Sequence, residues 1–267
     1  ALNDYNTGIT GPGHCGSTKI ENYEAYIGYE DWANGDFDYN DFGMYFSTQE
    51  TYGVSDSGQY LQKVKMIFTG IVYDAGGDHY IHIKRPLNGS YSYTVSRSST
   101  AYSGEVADGA YSGTGDLDLV LFNTAKYDYP GKQMSDIVTV EVTLDNSLLN
   151  PKTVLTAPRW DLDPIMANYD PYETIYTVYS GTFHIGDTQT ITSTSEQTNT
   201  SQILPVDTTL PYILVIPRNN WIPPFEVTTI TGPYGYFDDY YSTDGISHPL
   251  WYDEITNPTV GFGGLSW

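Results

Sequence analysis

The carboxylates of this sequence gather at one place, Tyr29-Glu30-Asp31-Trp32-Ala33-Asn34-Gly35-Asp36-Phe37-Asp38-Tyr39-Asn40-Asp41-Phe42. Asp36, Asp38 and Asn40 alternate with Phe37 and Tyr39, and Asp41 follows at once. On an extended loop, residues two apart point the same way. Several oxygens can then converge on one hard cation, and Ca²⁺ is the natural candidate. Without a cation or hydrogen bonds, carboxylates this close repel one another. The D-x-D-x-N spacing also opens an EF-hand loop. Here no Gly follows Asn40, and Glu50 lies too far along to close such a loop, so this is not an EF-hand. The candidate ligands are Glu30, Asp31, Asp36, Asp38, Asn40 and Asp41. The alternative reading is an acidic, solvated turn.

Other chemistry has weaker support. His14, His79, His82, His184 and His248 are scattered, with no H-E-x-x-H spacing. His79 and His82 fall on opposite faces of a strand-like run and make poor co-ligands. Neither a G-x-S-x-G elbow nor a phosphate-binding glycine loop is present. Acidic residues abound, but nothing marks a glycosidase-type pair. The expectation is that the chain is not an enzyme.

The elements that must position the acidic loop are strands. Val64, Met66 and Phe68 share one face of Gln62–Phe68, and Val138, Val140, Val142 and Leu144 share one face of Asp136–Leu144. Asp116–Phe122, His79–Lys84 and Thr174–Tyr179 alternate likewise. Tyr212–Ile216 is apolar throughout and reads as a central strand buried on both faces. Turn chemistry at Ala75–Asp78, Leu87–Ser90 and Gly113–Gly115 separates the runs. The expected fold is all-β, a β-sandwich or jelly-roll with at most one or two short helices, one of them near Gly235–Tyr241. Residues 1–18 read as an extended segment, a donor strand or linker, and 19–256 as the β domain. In 257–267, the apolar Val260, Phe262 and Leu265 need burial. That tail is either a last strand of its own domain or a strand donated to a neighbouring subunit.

Charge narrows the partners. Among 267 residues, 33 are acidic and 11 basic, a net of −22, so nucleic acid is an unsuitable partner. Twenty-six are Tyr, which suits either a sheet surface or a sugar-contacting one. No apolar run is long enough to span a membrane. The start at Ala1-Leu2-Asn3 fits a mature N-terminus left by removal of an export signal. The lone Cys15 allows no intrachain disulfide and leaves either a buried thiol or a bridge between subunits. Asn88-Gly89-Ser90 and Asn199-Thr200-Ser201 are glycosylation sequons.

These residues resemble the LruC-domain family of exported bacterial surface proteins. The hallmark segment is similar to Tyr29-Glu30-Asp31 followed by Gly35-Asp36-Phe37-Asp38-Tyr39-Asn40-Asp41, with Tyr in place of the first Phe. The late block of that family is similar to Leu210–Pro217, Pro224-Phe225-Glu226, Tyr234–Tyr241 and Trp251-Tyr252. Between 85 and 200 the likeness is loose. The resemblance implies export, a β-sandwich, Ca²⁺ binding and no assigned enzymatic activity. Asp207-Thr208-Thr209 is similar to an acceptor pattern of bacterial O-glycosylation, which makes Thr208 a candidate. The expected role is a glycosylated structural subunit of an extracellular fibre or cell-surface assembly, self-associating through terminal strand exchange. A carbohydrate-binding or adhesive module is the alternative.

Overall fold

The structure, a computed structural model, describes residues 14–30, 36–73, 79–98, 106–123, 132–133, 137–152, 173–178, 181–184, 187–193, 204–216, 221–224, 228–243 and 246–257. The chain is all-β, with one short α-helix among the described residues. Its strands are β1 (His14–Tyr29), β2 (Phe42–Ser55), β3 (Gly58–Tyr73), β4 (Tyr80–Arg85) and β5 (Ser90–Arg97). Then come β6 (Gly109–Thr114), β7 (Leu117–Asn123), β8 (Lys132–Gln133), β9 (Ile137–Leu144) and β10 (Glu173–Val178). The last are β11 (Gly181–His184), β12 (Thr188–Thr190), β13 (Thr209–Pro211) and β14 (Ile213–Ile216), followed by α1 (Phe237–Ser242). β-structure thus begins inside the segment 1–18.

Eight strands form one sheet in the order β14-β1-β2-β3-β9-β5-β6, with β8 also on β3; β11-β10-β4-β7 form a second sheet. Every pairing is antiparallel, which lets consecutive strands β1, β2 and β3 run as a meander. The inner faces of the two sheets meet in a core of Ala25, Ile27, Phe46, Val64, Met66, Phe68, Ile81, Ile83, Leu119 and Val140, among others. The alternation read from the sequence is the cause. In β9, Val138, Val140, Val142 and Leu144 are buried, and the residues between them are half-buried or exposed.

A second core lies on the opposite face of the large sheet, over β14, β1 and β2. It contains Tyr26, Leu214 and Ile216 from the strands, Phe37 and Tyr39 from the acidic loop, and Trp221, Tyr234, Phe237, Tyr240 and Trp251 from the C-terminal region. This corrects the expectation for Tyr212–Ile216. The strand β14 is at the edge of the sheet, not its centre. All four of its residues are buried because Ile213 and Val215 face the sandwich while Leu214 and Ile216 face the second core. The expected short helix is α1, whose Phe237 and Tyr240 pack in this second core.

One ion pair ties the two sheets together. Glu50 of β2 and Arg85 of β4 are both buried, with Arg85 Nη2 3.2 Å from Glu50 Oε1. The Tyr52 hydroxyl also donates to Glu50. Burying a carboxylate requires such partners.

Candidate cation site

The acidic segment joins β1 to β2 and lies between the sandwich and the second core. Phe37 and Tyr39 adopt left-handed backbone angles, φ of 55° and 56°. The loop is therefore curled, where an extended one was expected. A left-handed conformation costs a non-glycine residue about 1–2 kcal/mol. Fully burying a large apolar side chain contributes roughly 1.5–3 kcal/mol. Phe37 and Tyr39 are completely buried, so burial wins at both positions.

Hydrogen bonds fix the curl at several points. The Glu30 amide donates to the Tyr212 carbonyl (2.9 Å), and the Ile230 amide donates to the Phe37 carbonyl (2.9 Å). Tyr26 Oη donates to the Tyr39 carbonyl, and Tyr39 Oη to the Pro211 carbonyl, each at 3.0 Å. Burial raises both phenols well above their ordinary range, with the charge of Asp38 adding at Tyr26 and that of Glu30 at Tyr39. Both hydroxyls therefore keep their protons and act as donors. Gly28 admits the loop: a Cβ there would lie 2.6 Å from the Tyr39 carbonyl oxygen and 2.8 Å from the Tyr26 ring.

The curl brings three carboxylates together. One oxygen each from Glu30, Asp36 and Asp38 lies within 4.8 Å of the others. Glu30 and Asp38 are buried and Asp36 is half-buried. Two oxygens held about 2.3–2.6 Å from a shared Ca²⁺ can be up to about 5 Å apart, so the spacing fits. The donor set is all oxygen, which suits a hard cation. Asn40 supports the fit. Its Nδ2 donates to the Pro224 carbonyl (3.0 Å), while its buried Oδ1 has no hydrogen-bond donor. An amide oxygen of that kind is a ligand for a cation and a cost without one. Backbone amides also reach the site, from Tyr39 to Glu30 Oε2 (3.4 Å) and from Asn40 to Asp38 Oδ1 (3.1 Å).

Of the expected ligands, Glu30, Asp36, Asp38 and Asn40 thus gather in one loop. Asp41 is buried but is not one of the three converging carboxylates. Asp31 lies outside the described residues, as do Asn199, Val260, Phe262 and Leu265. Asn88 is exposed beside the left-handed Gly89. Its backbone is held by Asn150, which accepts from the Asn88 amide and donates to its carbonyl, both at 2.8 Å. Thr208 is half-buried beside Asp207, whose φ is 72°. Sequence reading missed Gly28 and the carbonyls of Pro211 and Pro224. A glycine inside an aromatic-rich strand was the available signal for Gly28.

Comparison with known proteins adds a family and a fold. Residues 92–252 match the family described as "Domain of unknown function (DUF4842)". The matched stretch includes Pro211, Tyr212, Pro224 and Ile230, the partners of the acidic loop, while the loop itself lies before it. No curated protein matches the chain. A crystal structure from Bacteroides ovatus, provisionally described as a lipoprotein, has a similar fold, with a TM-score of 0.50 and 11% identity. The likeness covers 88% of this chain and 74% of that one. No helix among the described residues is long and apolar enough to cross a membrane.

Proposed function

We propose that this chain, which belongs to the DUF4842 family, is a non-catalytic structural module of the bacterial cell surface, built as a subunit of an extracellular assembly. In this reading Ca²⁺ is held by Glu30, Asp36, Asp38 and Asn40. The ion supplies two positive charges and a demand for six to eight oxygens at one point. It fastens the β1–β2 loop between the two cores. The observation that carries the reading is the convergence of three carboxylates within 4.8 Å, in a loop pinned to residues 211–230. The surface location draws support from the fold shared with the Bacteroides ovatus protein. Exposed Asn88 and half-buried Thr208 are the glycan acceptors of this reading.

Two measurements test it. Calorimetric titration of Ca²⁺ into chelator-treated protein should show one saturable site, and Asp38→Ala should remove it. Electron microscopy of the native material should show filaments; monodisperse monomers would refute the assembly role.

A further inference from the structure

Among the described residues, the large sheet ends at β6 in an edge without the usual protection. Strand edges are normally blunted by Lys, Pro, bulges or covering segments. The strand Gly109-Ala110-Tyr111-Ser112-Gly113-Thr114 has no charge and no Pro, and it pairs with β5 without a register break. Among the described residues β5 is its single partner. Gly109, Ala110, Ser112 and Thr114 are exposed. On the inner face, Tyr111 stacks on Tyr93 at 5.1 Å and is half-buried, leaving an aromatic shelf at the sheet's end.

We infer that this edge is the acceptor for residues 259–263 of a second copy of the chain, added as a further strand. This inference rests on the assembly reading above and names the two surfaces that meet. Thr259-Val260-Gly261-Phe262-Gly263 alternates apolar residues with glycine, so Val260 and Phe262 share one face. That face matches the Tyr111 side of β6, where cross-strand neighbours sit about 4.5–5.5 Å apart. Residues 258–267 carry no charged side chain. In a chain of net −22, two uncharged segments can meet without charge repulsion. Two β6 strands pairing antiparallel would instead bring exposed Asp108 of one copy near exposed Asp116 of the other.

Reach favours a second copy's tail over the chain's own. The tail departs from Asn257, whose amide donates to the Pro233 carbonyl in the region that covers β14, β1 and β2. From β2 to β6 there are four strand spacings, about 19 Å. Fully extended, Val260 reaches about 10 Å from Asn257 and Phe262 about 17 Å. With Asn257 over β2, neither would reach the position beyond β6, a fifth strand spacing away. Donor and acceptor are different surfaces, so the contact is heterologous, and where its rotation does not close a ring it propagates into an open filament.

The test uses full-length chains carrying Cys15→Ser. One copy bears Ser112→Cys, on the outer face of β6, and the other Gly261→Cys, on the same face of the added strand. A short bis-maleimide should link the two into a heterodimer, and adding Phe262→Asp to the donor should lower the yield about tenfold, the cost of one lost aromatic contact. Absence of the heterodimer overturns the inference, and so do links confined to two Ser112→Cys copies, which would signal edge-to-edge pairing. Microscopy of the same samples separates the two ideas. Filaments without the cross-link sink the tail-to-β6 contact alone, whereas monomers sink the assembly role itself.

Discussion

Removing Ca²⁺ should lower the melting temperature, and the structure sets the scale. At a free Ca²⁺ concentration one hundred times its Kd, binding to the folded state stabilises by about 2.7 kcal/mol. In a chain of this size each kcal/mol shifts Tm by roughly 2–4 °C. Chelation should therefore lower Tm by roughly 5–11 °C. The repulsion that the ion relieves is of compatible size. Two carboxylates 4.8 Å apart repel by about 3–4 kcal/mol at an effective dielectric constant near 20. Asp38→Ala removes one of the two buried members of the trio and should abolish the response to chelator. Asp118→Asn, on the exposed face of β7, serves as the control and should leave the response intact. Differential scanning calorimetry with Ca²⁺ or with chelator reads each case. A Tm indifferent to chelator, or an Asp38→Ala protein that still responds, would refute the reasoning.

Three further outcomes follow from the packing. Gly28→Ala should destabilise by about 1–3 kcal/mol in urea unfolding and weaken Ca²⁺ affinity, because its Cβ would displace Tyr39. Arg85→Met should cost about 3–5 kcal/mol by stranding the buried Glu50, and Glu50→Gln added to it should recover part of that loss. Acid sensitivity should come partly from Glu21. Burial pushes its carboxyl up, but hydrogen bonds from Lys152, Lys19 and Tyr23 outweigh burial and bring it down from 4.5 to about 2. A depressed folded-state value adds stability at neutral pH that is lost as pH falls from about 4.5 to about 2. Glu21→Gln should flatten that part of the unfolding curve.

The sandwich was legible because one of its sheet faces is buried, and burial on one face writes period two into the sequence. The runs in β3, β7 and β9 show it, with Val64, Leu119 and Val140 each facing the inner core. The second core was not legible as a core. Trp221, Tyr234, Phe237 and Trp251 come from turns and short helical pieces that carry no period. That hidden layer is also why Tyr212–Ile216 read as central: an edge strand covered on its other face has the same composition. The acidic cluster was visible from spacing, but the curl of its loop was not. Phe37 and Tyr39 are driven left-handed by tertiary burial, and nothing in their identity announces it. The partnership of Glu50 and Arg85 was equally silent, since it joins strands 35 residues apart in different sheets.

Charge explains why a cation suits the joint between the two cores. The chain has 11 basic residues against 33 acidic ones. Six of them are engaged away from the acidic loop. Lys19 and Lys152 hold Glu21, Lys65 holds Glu141, Lys84 holds Asp116, Arg85 holds Glu50, and Arg97 donates to the Val106 and Leu121 carbonyls. A long basic side chain entering the loop would bring one charge and lose rotamer freedom. In the proposed reading a Ca²⁺ ion would bring two charges to the point where three carboxylates converge, with the Asn40 amide oxygen in the same loop. It would also join parts of the chain that are far apart in sequence. Glu30, Asp36, Asp38 and Asn40 precede β2, while the carbonyls that hold their loop, those of Pro211, Tyr212 and Pro224, belong to the late block. In that arrangement the early acidic motif and the late aromatic block are two halves of one structural device.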